Sequence, residues 1–171
     1  MCIIIVKPEG AKLPPFDIIS RCAMRNPDGF GFAVPGRVYK AMDFVAFYAE
    51  LQKSVTRDVP AIIHFRYATH GSVKRSNCHP FRDERLGLSF AHNGMLDIEP
   101  VGDKTDSETA FKHYLLPVVR HYGFESHEFV AAVRDIIGYS RFAFLTDEGK
   151  IDVFGYFNHY QGCLYSNHNY L

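Results

Sequence analysis

The chain has 171 residues, a length that suits one domain, and its 47% hydrophobic and 15% aromatic content is enough to build a real core. Lys plus Arg number 19 and Asp plus Glu number 19, so there is no basic footprint for nucleic acid and no polybasic patch for a membrane surface. The four cysteines, Cys2, Cys22, Cys78 and Cys163, follow no spacing pattern; neither a disulfide framework nor a zinc motif is indicated, and a reducing, cytoplasmic compartment is expected.

Cys2–Val6 is apolar and mostly β-branched, which predicts a buried strand. This run is too short for a signal-peptide core and has no basic flank, and no later stretch reaches the length of a membrane span. Pro14-Pro15 opens a short helix that turns Phe16, Ile19, Cys22 and Ala23 to a core and stops near Asn26-Pro27. Phe30–Val34 and Val38–Ala41 form a hairpin closed by Pro35-Gly36. Asp43 caps a helix running to about Ser54. Ala61–Tyr67 and Leu86–His92 are strands, and the long polar segment 68–85 between them is a candidate lid. Thr105-Asp106-Ser107-Glu108 matches a capping box before the apolar run that begins at Ala110. Ser126 opens a helix with Phe129, Val130, Val133, Ile136 and Ile137 at helical spacing. Arg141–Thr146 and Ile151–Phe157 are strands flanking the turn Asp147-Glu148-Gly149, and the tail 162–170 adds a short strand.

No repeat, low-complexity stretch or linker interrupts the chain, so residues 1–171 are expected to form a single domain. Strands and helices do not alternate as in a doubly wound fold. Helices packed outside two mostly antiparallel sheets fit the order.

Cys2 stands directly behind Met1. Alone it reads as a small buried hydrophobe at the start of a strand. Removing Met1 would leave a thiol and a free α-amine on one residue, a nucleophile carrying its own base, since an α-amine has a pKa of about 7.7–8.0. Three later segments favour the chemical reading. In His64-Phe65-Arg66-Tyr67-Ala68-Thr69-His70-Gly71, an arginine at the end of a buried strand can hold a carboxylate through two bonds, although an arginine before a turn is common. In Ala91-His92-Asn93-Gly94, Asn-Gly is by default a tight turn, but it also sets an amide donor beside a backbone N–H, the pair an oxyanion hole needs. Thr105–Thr109 caps a helix and places an acidic group where it can hold an ammonium. A ligand with both α-charges and a carbonyl farther along is an amino acid with an amide or ester side chain, and glutamine fits.

These motifs, in this order, resemble the class II glutamine amidotransferases of the N-terminal nucleophile hydrolase superfamily. The resemblance runs from Cys2 to about Phe111. Arg66–Gly71, Asn77-Cys78-His79-Pro80-Phe81 and His92-Asn93-Gly94 look most like the glutaminase domain of glucosamine-6-phosphate synthases, and Met24–Gly31 looks like the family's early arginine and Asp-containing turn. The resemblance implies an α+β fold, the four-layer αββα sandwich. It implies Cys2 as nucleophile, Arg66 and Thr69 on the glutamine α-carboxylate, and Asp106 on the α-ammonium with help from the Gly94 carbonyl. The Asn93 side chain and the Gly94 N–H would form the oxyanion hole, with Arg25, His70 and His92 in support.

The activity so implied is hydrolysis of L-glutamine to glutamate and ammonia through a γ-glutamyl thioester, with no cofactor and no metal. The ammonia is expected to go to a separate synthase or ligase. The alternatives are γ-glutamyl transfer to an amine, or a non-catalytic amino-acid-binding or regulatory protein on the same fold. His159, Cys163 and His168 are loosely spaced like zinc ligands but lack a fourth partner. Phe154, Tyr156, Phe157 and Tyr160 read as core and interface, Cys22 and Cys78 as structural, with Cys78 accessible in the candidate lid.

Overall fold

The computed structural model describes residues 1–68 and 72–171. Thr69, His70 and Gly71 lie outside the described residues. The elements in order are β1 (Ile3–Lys7), α1 (Phe16–Arg25), β2 (Phe30–Val34), β3 (Arg37–Ala41), α2 (Phe44–Ser54), β4 (Ala61–Phe65), β5 (Phe81–Asp83) and β6 (Leu88–Asn93). There follow α3 (Asp106–Thr109), which runs through a π-helical turn (Ala110–Leu115) into α4 (Leu116–Tyr122), then α5 (His127–Ile137), β7 (Arg141–Thr146), β8 (Ile151–Phe154), β9 (Asn158–Tyr160) and β10 (Cys163–Tyr165).

Two sheets result. The larger has the order β3-β2-β4-β1-β10-β9 and the smaller β5-β6-β7-β8, and the strand pairs are antiparallel. The strand alternation of period two explains the layering. Ile3 and Ile5 of β1 turn outward to pack with Ile18, Ile19, Phe47 and Phe65 under α1 and α2. Ile4 and Val6, between them in sequence, turn inward and meet Ala91, Ala143 and Leu145 of the other sheet. Phe90, Phe142 and Phe144 on the far face of the smaller sheet pack against Phe111, Leu115, Phe129 and Val133 of the helices. A strand buried on both faces is largely apolar, which is why Ile3–Val6 of β1 and Ala61–Ile63 of β4 read as hydrophobic runs; Lys7 and His64 are the buried polar residues of these two strands. The layers are helix, sheet, sheet, helix, as the sequence implied.

The local signals hold at several ends. Asp43 accepts the Ala46 N–H at 2.8 Å and Ser126 accepts the Phe129 N–H at 3.1 Å. Thr105 caps α3 by accepting from Glu108 N–H at 3.1 Å.

Four expectations are corrected. Segment 68–85 is not all loop: Arg75–Asn77 forms a 3-10 turn and Phe81–Asp83 pairs with β6. The strand expected over Ile151–Phe157 ends at Phe154, where the chain leaves the smaller sheet, and an unexpected strand, β9, follows at Asn158–Tyr160 in the larger sheet. Cys78 is buried, not accessible, with its thiol 3.8 Å from the Met42 sulfur. Tyr156 is exposed, while its neighbour Phe157 packs between the sheets. No described helix is long and apolar enough to cross a membrane.

Candidate active site

A pocket opens where β1, β4 and β6 end on the same side of the sandwich. Cys2, Arg66, Ala68, Asn77, His79, His92, Gly94, Thr105, Asp106 and Ser107 line it. Residues separated by up to 105 positions therefore meet because the β1–β4 pairing sets Ile3 opposite Phe65 and the small sheet stacks against both.

Cys2 is half-buried just before β1. Its Sγ accepts the Tyr67 N–H at 3.3 Å and lies 3.4 Å from the Tyr67 carbonyl. Burial pushes the thiol up, and the Tyr67 bond, the chain's amino terminus and Arg66 only partly offset this. An unassisted Cys2 is thus a thiol at neutral pH, and a base is needed to make it a nucleophile. The Cys2 carbonyl accepts Asn167 Nδ2 at 2.6 Å, and the Met1 carbonyl accepts Asn169 Nδ2 at 3.0 Å. Met1 itself is 63% exposed.

Arg66 is buried directly after β4. Its backbone N–H donates to Gly29 O at 2.8 Å and its guanidinium reaches Ser72 O at 3.1 Å. Asn77 donates to the same Ser72 carbonyl at 3.0 Å. Asp28 accepts the Ala68 N–H at 2.8 Å, tying the Asp-containing turn to the strand end that carries Arg66.

Asp106, at the start of α3, is held from three directions. Its Oδ1 accepts Ser107 N–H at 2.7 Å and Ser107 Oγ–H at 3.1 Å, and its Oδ2 accepts Leu96 N–H at 3.1 Å. Ser107 Oγ also lies 2.7 Å from His92 Nδ1. Since the serine proton goes to Asp106, the histidine Nδ1–H is the donor in that contact. His79 and His92 of the lining pack with the buried His64: His64 and His79 are tilted with ring centroids 4.4 Å apart, and His79 meets His92 edge to face at 6.3 Å. Burial lowers all three, His64 to about 3 and His92 to about 4 despite the opposing Asp106 carboxylate, and His79 well below its usual value. They are neutral rings at neutral pH.

Gly94 ends β6 at φ +142°, a conformation L side chains rarely adopt. Asn93 before it is buried, and its Nδ2 donates to Ser166 Oγ at 2.8 Å. The site residues named from sequence thus divide. Cys2, Arg66, His92, Gly94 and Asp106 come together at the pocket wall; Asn93, next to Gly94 in sequence, is buried and is not among the lining residues. Arg25 does not line the pocket; it is exposed in the last turn of α1. Thr69 and His70 lie outside the described residues.

Asp28, His79, Ser107, Ser166 and Asn167 are further contributors that the motifs did not single out for a role. Asp28 and His79 stand inside the quoted motifs. Ser166 and Asn167 have no local signal at all. Among the described residues no group of three His, Cys, Asp or Glu side chains is arranged to hold a metal.

Residues 41–159 match the family model described as glutamine amidotransferases class-II; Cys2 lies outside the matched segment. The glutamine–fructose-6-phosphate aminotransferase (isomerizing) of Chlamydia trachomatis is 34% identical over 83 residues, covering 46% of this chain and 14% of that protein. The protein of the same name from Chlamydia caviae is 35% identical over 97 residues, covering 52% and 16%. A putative glutamine amidotransferase of Haemophilus influenzae is 41% identical over 66 residues, covering 32% and 22%. The chain therefore spans less than a quarter of the length of these relatives. Among solved structures, the glutamine phosphoribosylpyrophosphate amidotransferase from B. subtilis superposes with a TM-score of 0.58 at 20% identity, over 86% of this chain and 35% of that one. The likeness to that structure is one of fold.

Proposed function

The chain belongs to the class II glutamine amidotransferases, and on that premise we propose that it cleaves the side-chain amide of L-glutamine with the thiol of Cys2. The observation that carries the reading is the gathering of Cys2, Arg66, Gly94 and Asp106 around one pocket. Arg66 meets the α-carboxylate, Asp106 the α-ammonium. The γ-amide then faces Cys2, with the Asn93 carboxamide and the Gly94 N–H as donors to its oxygen.

Removal of the exposed Met1 frees the α-amine of Cys2. That amine takes the thiol proton, directly or through one water, and offsets the upward push that burial exerts on Sγ. Sγ bonds to the amide carbon and the oxygen takes up the negative charge. As the intermediate collapses, the C–N bond breaks and the ammonium of Cys2 returns the proton, so ammonia leaves and a γ-glutamyl thioester remains. Water, deprotonated by the same amine, attacks the thioester and releases glutamate and the thiol. Asn167 holds the Cys2 carbonyl throughout, so the nucleophile stays in place when Met1 and its bond to Asn169 are gone.

The fructose-6-phosphate aminotransferases to which the chain is similar are named for a glutamine donor and a sugar-phosphate acceptor. By analogy we propose that the ammonia is consumed by a separate synthase or ligase. Residues 1–171 act as one domain in this reading.

The test is glutamate and ammonia release by purified protein, with Cys2→Ala alongside. Wild type should turn over and the variant should not, while both melt at similar temperature. Intact mass of active protein should lack the methionine, and a glutamine-analogue electrophile should modify Cys2 alone. Turnover by Cys2→Ala, or labelling chiefly at Cys78 or Cys163, refutes the reading.

A further inference from the structure

Ser166 follows β10 at the point where Tyr165 pairs with Ile5 of β1. Its backbone N–H donates to Ile4 O at 3.0 Å, and its Oγ accepts the Ile4 N–H at 2.8 Å. The same oxygen accepts Asn93 Nδ2 at 2.8 Å. Ser166 is fully buried and Asn93 is 1% exposed. One hydroxyl oxygen thus joins the strand that carries Cys2, in the larger sheet, to the residue before Gly94, in the smaller one.

The torsion that turns an asparagine carboxamide is broad, so the plane of the group must be set by its partners. Asn93 Oδ1 has no hydrogen-bond partner among the described residues. The bond to Ser166 is therefore the constraint on that plane. Nδ2 carries two hydrogens. One goes to Ser166, and planarity then fixes where the other points. With two N–H donors on its lone pairs, Ser166 Oγ has no capacity left to act as a base.

We propose that Ser166 is a positioning residue of the oxyanion hole: it aims the second Nδ2 hydrogen of Asn93 and registers it against Cys2 through Ile4. The proposal rests on the glutamine reading above. Ser166 touches no substrate and acts through Asn93. Its value lies in preorganisation, because a donor already aimed where charge develops needs no reorientation during the reaction.

The test uses Ser166→Ala and Ser166→Thr in the full chain, each alone and combined with Asn93→Ala. Ser166→Ala should lower kcat by about 10- to 100-fold, the range for a misaimed catalytic group, with KM for glutamine little changed. Ser166→Thr keeps the hydroxyl and should restore most of the loss. In the Asn93→Ala background, Ser166→Ala should change kcat by less than about 3-fold, since the group it aims is gone. A residue that only supports the fold would lower kcat alike in both backgrounds.

A second readout needs no turnover. The Asn93 side-chain amide signal in an NMR spectrum, identified by its loss in Asn93→Ala, should shift in Ser166→Ala as the bonded hydrogen is released. A wild-type chain inactive toward glutamine while the signal shifts overturns the glutamine reading and leaves the Ser166–Asn93 contact supported. An unmoved signal, or full turnover by Ser166→Ala, overturns the present proposal.

Discussion

Gly94→Ala puts one methyl group where the site has least room. An ideal Cβ on Gly94 would lie 2.3 Å from Ser140 Oγ, 2.8 Å from Ser140 Cβ and 2.9 Å from Ser140 Cα. The hydroxyl can rotate away, but Cα is backbone and cannot. Ser140 is buried and its Oγ–H donates to Met95 O at 3.1 Å, a bond lost if the hydroxyl turns. Holding alanine in a sparsely populated positive-φ conformation costs about 1–3 kcal/mol. Overpacking adds about 1–3 kcal/mol, and the lost hydrogen bond about 0.5–1.5 kcal/mol. The combined loss of about 2.5–7.5 kcal/mol is a large share of a domain stability of about 5–15 kcal/mol. Urea titration followed by circular dichroism measures it, provided the transition slope is unchanged. Adding Ser140→Gly removes Oγ and Cβ but leaves Cα, so it should return part of the steric loss and none of the conformational one. Turnover per folded molecule should fall as well, because the Gly94 N–H moves with its backbone. A stability change under about 1 kcal/mol with normal kcat would refute both the strain reasoning and the place given to this N–H.

Asn93→Ala should lower kcat by about 100- to 1,000-fold with little change in glutamine binding, as for loss of one oxyanion donor; Asn93→Asp should be at least as poor, since a carboxylate repels the oxyanion. Near-normal turnover with a lowered melting point would leave Asn93 a turn residue. Arg66→Ala and Asp106→Ala should each raise KM steeply, each removing a charge-assisted contact worth about 1.5–3 kcal/mol, and Arg66→Lys should rescue only in part; normal KM in both alanine variants would sink the clamp. Stability should fall on acidification from about pH 6.5 toward pH 4. His64, His79 and His92 stay neutral when folded because burial lowers them, whereas the unfolded chain takes up protons below about 6.5. Their contribution is complete above that value and is lost as pH falls, with a slope approaching about 4 kcal/mol per pH unit when all three differ. Urea midpoints at pH 7, 6 and 5 measure it, and a flat profile over that range would contradict the buried neutral cluster.

Much of this protein was legible because the signals are local. The apolar run Ile3–Val6 could only be a strand buried on both faces, and Asp43 and Ser126 cap the helices that follow them. Arg66, Asn93-Gly94 and Asp106 stood out because each lies at the end of an element, where a side chain or an N–H is free to face a ligand. Other features depended on partners far along the chain. Phe81–Asp83 has one fully buried residue and little strand character, and only pairing with Leu88–Phe90 makes it a strand. At Gly155, between β8 and β9 in their different sheets, the backbone passes so close to Ser140 and Arg141 that a Cβ would lie 2.5 Å from Ser140 O, a contact that its neighbours in sequence do not reveal. Arg25 looked like a supporting residue by motif, yet α1 leaves it exposed, while Ser166 bonds to Ile4 and Asn167 to Cys2 from more than 160 residues away. Propensity, capping and charge type act over a few residues and can be read in order. Which buried hydroxyl aims which amide is decided when two sheets stack, because a hydrogen bond needs its partner within about 3 Å whatever the distance along the chain.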